Sequence, residues 1–218
     1  MCRVVDGPDS PMTRAHSIVH NTSLWLIRHG EPDESVHGRC YGRLDVGLSL
    51  KGRQQMEQVA ARLRDQSFAA VYTSPQRRAM ESMSILGFDP SDGTKILDAF
   101  REIDFGDWEG LSYEEIARRY PRLYEEWTER PTETSFPNGE SFEHMCVRVL
   151  QAVEVLRQKH FNQSVAVMTH SGVIRIIVAH VLGIPDSRLF RVAQDYGAIN
   201  RIRYVGDYPC LELMNGKA

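Results

Sequence analysis

The stretch LWLIRHG, residues 24–30, decides the fold that we expect for this chain. Its uninterrupted apolar run is typical of a strand that is buried on both faces of a parallel sheet, and it ends abruptly at Arg28 and His29. The stretch VAVMTH, residues 165–170, has the same form and also ends at a histidine, His170. We therefore expect two internal strands, each of which delivers a histidine at its carboxyl end.

The segments around these two runs alternate between helical and extended patterns. Apolar residues at helical spacing predict helices over residues 49–65, 141–160 and 172–182. Further strands are predicted at residues 69–73, at residues 95–98 as a weaker third strand, and at the sheet edge near residues 199–205 and 211–214.

Two shorter helices are predicted from their start signals. Ser74 can cap a helix whose first residue would be Pro75, which places Arg78 in the first helical turn. Ser112 and Glu115 form a capping-box pattern that opens another helix.

This order of elements predicts the fold class. Strands that alternate with helices indicate an α/β fold with a doubly wound, mostly parallel sheet that is flanked by helices on both faces. Residues 1–22 are polar and contain prolines, so we expect a mobile leader there and a single domain over residues 23–218.

The composition excludes several classes of function. The formal net charge of the 218 residues is −3, without the basic excess of a nucleic-acid or anionic-membrane binder. The four cysteines form no C-x-x-C pair, so neither a zinc motif nor a redox motif is visible. Residues 1–22 lack the apolar core of a signal peptide, and no run is long enough to span a bilayer. We expect a cytoplasmic protein without nucleic-acid or membrane partners.

Side chains suited to phosphoryl transfer follow the predicted strands: Arg28, His29, Arg78, Glu102 and His170. Ligands of open α/β sheets bind at the carboxyl ends of the strands, so these five side chains are expected to converge. Guanidinium groups bind phosphate oxygens, a neutral imidazole can attack phosphorus, and a carboxylic acid can protonate the leaving alkoxide. This chemistry needs neither a metal ion nor another cofactor, and its substrate would be a small phosphomonoester.

The same motifs resemble those of the histidine phosphatase superfamily, which includes the cofactor-dependent phosphoglycerate mutases. The resemblance rests on LIRHGE at residues 26–31, TSP at residues 73–75, FGDWEG at residues 105–110 and HSG at residues 170–172. It implies the three-layer sandwich of phosphoglycerate mutases, which agrees with the order of strands and helices predicted above.

The resemblance also implies a role for each of the five side chains. His29 would be the nucleophile that becomes phosphorylated. Arg28, Arg78 and His170 would form the phosphate pocket. Glu102 would protonate the leaving oxygen and then help to activate the water that hydrolyses the phosphohistidine. Nearby carboxylates leave the identity of the acid open: Glu31, Asp104, Asp107 and Glu109.

The loop after His29 departs from the superfamily pattern. Many relatives read R-H-G-E-T-x-W-N, whereas Pro32, Glu34 and Ser35 stand here at the threonine, tryptophan and asparagine positions. The asparagine position lies beside the transferred phosphate in relatives, so Ser35 is the candidate phosphate ligand at that point. Candidates for contact with the rest of the substrate follow in the same loop: His37, Arg39 and Tyr41.

Three functions from different classes fit these motifs. Residues 105–109, 137–142 and 190–192 are similar to stretches in alpha-ribazole phosphatases, which indicates a phosphatase with alpha-ribazole 5′-phosphate as a candidate substrate. A phosphoglycerate mutase would use the same pocket, but mutases of this superfamily are generally longer. A catalytically silent module that binds phosphorylated ligands would be expected to lack the nucleophile, the acid or a pocket arginine, and none of these is missing. A homodimer is a possible assembly.

Overall fold

A computed structural model of the protein describes residues 21–217. The expected leader lies outside these residues except for Asn21 and Thr22, which open the first strand two residues earlier than the sequence predicts. Six strands of the described chain form one sheet: β1 (Asn21–Arg28), β2 (Ala70–Thr73), β3 (Lys95–Ile96), β4 (Ser164–Thr169), β5 (Ile199–Val205) and β6 (Tyr208–Gly216).

The strand order is β3-β2-β4-β1-β5-β6. The first four strands in this order pair in parallel, whereas β5 is antiparallel to both β1 and β6. The two apolar runs are adjacent, with Leu26 opposite Val167 and Arg28 opposite Thr169. Their carboxyl ends therefore bring Arg28, His29 and His170 to the same edge of the sheet.

Helices α1 (Leu50–Leu63) and α2 (Arg77–Ile85) cover one face of this sheet, and α5 (Phe142–Lys159) and α6 (Ser171–Leu182) cover the other. Helices α3 (Tyr113–Arg119) and α4 (Pro121–Glu129) pack around Trp108 in a separate cluster. Side chains of a strand alternate between its faces. Leu26 thus packs in a cluster with α5 and α6, while Ile27 packs in another with α1 and α2. This arrangement confirms the predicted doubly wound, mostly parallel α/β sandwich.

The start of α2 differs from the prediction. The helix begins at Arg77, and Gln76 is its N-cap without a side-chain hydrogen bond to the helix. Ser74 does not cap it, because the Ser74 hydroxyl instead contacts Nε2 of His170 at 2.8 Å. The other predicted cap is present, since Ser112 and Glu115 form the complete capping box of α3.

Two strands also differ from their predicted form. The third strand covers only Lys95–Ile96, because the chain turns into a 3-10 helix at Asp98–Phe100. Of the two expected edge strands, only β6 lies at the edge of the described sheet, since β5 pairs with β1 on its other side. No helix within residues 21–217 combines the length and the apolar character that a bilayer span needs.

Candidate active site

A cavity of about 230 Å³ opens at the carboxyl edge of the sheet. Arg28, His29, Arg78 and Glu102 line it. The His170 side chain is fully buried directly beside this cavity, with its ring centroid 5.0 Å from that of His29. The structure therefore brings together the five side chains that the sequence predicts to converge.

His29 is held in one tautomer by its own backbone. Its Nδ1 lies 2.6 Å from the carbonyl oxygen of Gly30, and because a carbonyl can only accept, Nδ1 must carry the proton. Nε2 of a neutral His29 is therefore unprotonated. Burial, with the charges of Arg78 and Arg28, holds the pKa of His29 well below its ordinary value of 6.5, while the hydrogen bond to Gly30 acts in the opposite direction. The net effect is a lowered pKa, which keeps the imidazole of His29 neutral and therefore nucleophilic. The sequence alone does not give this direction.

His170 is also buried, and its two ring nitrogens have different surroundings. Nε2 lies 2.8 Å from the hydroxyl oxygen of Ser74, whereas Nδ1 has no hydrogen-bond partner among the described residues. Burial lowers the pKa of His170 well below 6.5, and the charge of Arg78 lowers it further. A buried nitrogen without a partner is rare in folded proteins, so Nδ1 is suited to meet a ligand.

The two arginines are fixed by backbone carbonyls and keep donors free. Arg28 donates to the carbonyl of Gln194 at 2.5 Å, and its guanidinium carbon lies 3.9 Å from the ring centroid of Tyr196. Arg78, which is fully buried, donates to the carbonyls of Gly42 and Leu44 at 2.7 and 3.0 Å. The Nε of each arginine lacks a partner within residues 21–217. Two guanidinium groups of fixed orientation therefore lie beside His29, and the Nε–H of each is unused.

Glu102 is the carboxylate that lines the cavity in the part of the chain that the structure describes. One carboxylate oxygen accepts the backbone N–H of Ile103, and the other accepts that of Gly172 at the start of α6, both at 3.0 Å. The alternative acids are engaged elsewhere: Glu31 pairs with Lys51, Asp104 with Arg43, Asp107 accepts from Asn138, and Glu109 accepts three backbone N–H groups.

The loop candidates divide into two groups. Arg39 and Tyr41 line the cavity, and the Tyr41 hydroxyl lies 2.8 Å from that of Tyr196. Ser35 and His37 lie outside the cavity: the Ser35 hydroxyl donates to Asp33 at 2.6 Å in an exposed 3-10 turn, and the His37 side chain is 52% exposed. Ser35, which was expected to bind phosphate, is therefore not part of the cavity in this loop, whose residues 32–35 depart from the superfamily pattern.

Comparison with known proteins identifies the family. The profile of the histidine phosphatase superfamily (branch 1) matches residues 24–217, which is nearly the whole described chain. The chain belongs to this superfamily.

Several relatives of this histidine phosphatase have named activities. Phosphoserine phosphatase 1 of Hydrogenobacter thermophilus is 31% identical over 174 residues, or 79% of this chain and 82% of the relative. The adenosylcobalamin/alpha-ribazole phosphatase of Escherichia coli K12 is 26% identical over 195 residues, or 89% and 96%. The crystal structure of the alpha-ribazole phosphatase from Shigella flexneri matches with a TM-score of 0.83 at 27% identity, covering 90% of this chain and 97% of that one. The protein is thus a phosphoric monoester hydrolase, as the motifs predict.

The cavity also has an apolar wall, which includes residues that the sequence did not mark as part of a site. The wall comes from α4, α5, the segment between them, the Glu102 loop and the 3-10 helix after α6: Phe105, Trp127, Phe136, Phe142, Met145, Leu189 and Phe190. Arg175 of this histidine phosphatase also lines it and donates to the carbonyl of Val192 at 2.8 Å. Phe105, Phe142 and Phe190 belong to the stretches that resemble alpha-ribazole phosphatases. Met145 and Leu189 are buried like ordinary core residues, so the sequence carried no signal that separates them from the core.

Proposed function

We propose that this histidine phosphatase hydrolyses a small phosphomonoester in two steps through a phosphohistidine at His29. The observation that carries the proposal is the contact between His29 Nδ1 and the Gly30 carbonyl, because it leaves the Nε2 lone pair for attack. In the first step Nε2 bonds to phosphorus, the phosphorus–oxygen bond to the leaving group breaks, and Glu102 gives its proton to that oxygen.

The second step returns the enzyme to its starting state. A water molecule gives a proton to the Glu102 carboxylate while its oxygen attacks phosphorus. The phosphorus–nitrogen bond breaks, inorganic phosphate leaves, and His29 is neutral again. The Gly30 carbonyl stabilises the positive charge that the phosphorylated imidazole carries between the two steps.

The phosphate-binding groups of the proposal are Arg28, Arg78 and His170. Each has a buried ring or guanidinium nitrogen without a partner in the described chain. The two positive charges of the arginines offset the negative charges of the phosphate oxygens. The mechanism therefore uses no metal ion. Activity that EDTA abolishes and a divalent cation restores would contradict this part of the proposal.

The apolar wall supports a substrate with an aromatic or otherwise apolar leaving group. Phe136, Phe142 and Phe190 line the same cavity as Arg28 and Arg78. Aromatic walls bind planar apolar groups by stacking and by excluding water. Alpha-ribazole 5′-phosphate, which carries a fused aromatic base, fits this wall, and the E. coli and Shigella relatives are named for it.

Phosphoserine is the second candidate, because the Hydrogenobacter thermophilus relative is named for it. Its leaving group carries an ammonium and a carboxylate, which need charged partners when they are buried. Arg39 and Arg175 line the cavity and can bind the carboxylate, but Glu102, the carboxylate among the described lining residues, is assigned as the acid, so the ammonium lacks an anionic partner. The apolar wall therefore favours the aromatic substrate.

Release of inorganic phosphate from a panel of substrates tests the proposal. We expect kcat/KM for alpha-ribazole 5′-phosphate to exceed that for phosphoserine by at least about tenfold, and His29→Asn to abolish both. A preference for phosphoserine would reverse the substrate assignment. Interconversion of phosphoglycerates without phosphate release would instead identify a mutase. The cytoplasmic location and the homodimer stay predictions, which cell fractionation and mass photometry would test.

A further inference from the structure

The segment that carries Glu102 is held by side chains instead of by a strand or helix. Residues 101–105 belong to no regular element. Even so, the four successive carbonyls of residues 99–102 all accept hydrogen bonds from side chains. Thr169 donates to the carbonyl of Phe100 at 2.8 Å, and Arg148 of α5 donates to the other three.

All five N–H groups of Arg148 are used in this arrangement. Nη1 donates to the carbonyls of Ala99 and Arg101 at 2.8 and 2.9 Å, and Nη2 donates to that of Glu102 at 3.3 Å. The remaining two N–H groups form a bidentate pair with Glu140, with Nε at 2.6 Å and Nη2 at 2.8 Å from its two carboxylate oxygens. The Arg148 and Glu140 side chains are only 21% and 12% exposed.

Glu140 is itself tied to the same loop. Its backbone N–H donates to the carbonyl of Asp104 at 2.9 Å, two residues after Glu102. Glu140 belongs to the stretch of residues 137–142 that the sequence comparison singled out and that the proposed mechanism does not use. The pair therefore holds the Glu102 loop on both sides of the proposed acid.

We propose that Arg148, oriented by Glu140, is a positioning residue for Glu102. The inference rests on the proposed function, in which Glu102 must reach the leaving oxygen. Proton transfer requires donor and acceptor within hydrogen-bond distance, so a loop displaced by about 1 Å loses much of its rate. Only a planar guanidinium can serve three carbonyls and one carboxylate at once, and a lysine cannot replace it.

The test is the dependence of kcat/KM on the leaving group. An alkyl phosphate needs the proton from Glu102, whereas p-nitrophenyl phosphate has a leaving group that departs without one. Arg148→Lys should lower kcat/KM for an alkyl phosphate by at least about tenfold and for p-nitrophenyl phosphate by less than about threefold. Damage to the fold alone would lower both values by the same factor.

Three further variants complete the design. Glu102→Gln defines the leaving-group effect of losing the acid. Glu140→Gln removes the charge that orients Arg148 and should show the same effect at smaller size, so the test stands even where Arg148→Lys does not fold. Arg157→Lys is the matched control: Arg157 lies on the same helix and pairs with Glu154 and Asp207, away from the loop.

The outcomes separate the two proposals. If Glu102→Gln lowers kcat/KM equally for both substrates, Glu102 is not the acid and that part of the proposed function fails. If Glu102→Gln shows the leaving-group effect but Arg148→Lys and Glu140→Gln behave like Arg157→Lys, or lose both activities equally, the positioning role is overturned. Selective loss with the alkyl phosphate in all three variants at the site supports it.

Discussion

His29 and His170 lie side by side at the carboxyl ends of adjacent parallel strands, with their ring centroids 5.0 Å apart and their planes inclined by 59°. Both side chains are buried, and the charge of Arg78 acts on both. Two protonated imidazoles at this distance and beside a buried cation would repel one another strongly. The pair is therefore neutral in the folded protein at neutral pH.

This neutral pair predicts how stability depends on pH. In the unfolded chain both histidines bind a proton below about pH 6.5, whereas the folded protein keeps them neutral to lower pH. The unfolded state then binds more protons, so the free energy of unfolding should fall as pH drops below 6.5, by up to about 1.4 kcal/mol per pH unit for each histidine. Chemical denaturation between pH 7 and pH 5 measures this slope.

Variants separate the two histidines from other titrating groups. His29→Gln and His170→Gln should each reduce the slope, while the same substitution at the exposed His144 of α5 controls for the loss of an imidazole. A slope that neither buried substitution changes would contradict the neutral pair.

A substitution of Arg78 that conserves its charge should cause a large loss of phosphate binding. Arg78→Lys keeps the positive charge but removes the fork that holds the Gly42 and Leu44 carbonyls, so the remaining ammonium has no fixed direction. We expect kcat/KM to fall by about a hundredfold. The neighbouring Arg77 is exposed and pairs with Glu81, so Arg77→Lys should change kcat/KM by less than about twofold. Equal effects of the two substitutions would argue against a phosphate role for Arg78.

Ser74 is expected to hold the ring of His170 in place. The Ser74 hydroxyl donates to Oε1 of Gln76 at 3.1 Å, so its oxygen accepts the hydrogen bond from Nε2 of His170 at 2.8 Å. Ser74→Ala removes this contact and should weaken inhibition by inorganic phosphate about fivefold, the equivalent of one hydrogen bond. Nitrogen-15 NMR of His170 would show directly whether Nε2 carries the proton. Ser91→Ala, at an exposed serine, serves as the control.

Replacement of Gly172 by alanine should displace the side chain of Glu102. A methyl group at this position would collide with a carboxylate oxygen of Glu102, although alanine is otherwise the better helix residue. Gly172→Ala should lower kcat/KM for an alkyl phosphate by at least about tenfold. In a Glu102→Gln background the same substitution should have little further effect, because the acid is already lost. Additive losses in the double variant would mean that Gly172 acts by another route.

The sequence predicts the framework of this site because burial and strand position leave strong signals. The apolar run before Arg28 and the one before His170 fix two central strands, and the parallel pairing of those strands places both histidines at one edge. The position of Glu102 after a short third strand follows from the same order of elements.

The sequence could not predict contacts for which a side chain has several chemically equivalent hydrogen-bond partners. Ser74 has the chemistry of a helix cap, but its hydroxyl contacts His170, and only the three-dimensional structure decides between these partners. The role of Arg148 is hidden for a similar reason, since its partners are backbone carbonyls that leave no mark in the sequence. Met145, another wall residue, has the spacing of core residues on an amphipathic helix.

A rapid-quench labelling experiment, with the quench in base, tests the central claim most directly. The protein is mixed with a phosphomonoester that carries labelled phosphate, quenched within milliseconds, and mapped by peptide mass spectrometry. We predict a label that is stable in base, labile in acid and attached to His29, and no label or turnover in His29→Asn. A label on another residue, or full turnover by His29→Asn, would contradict the account.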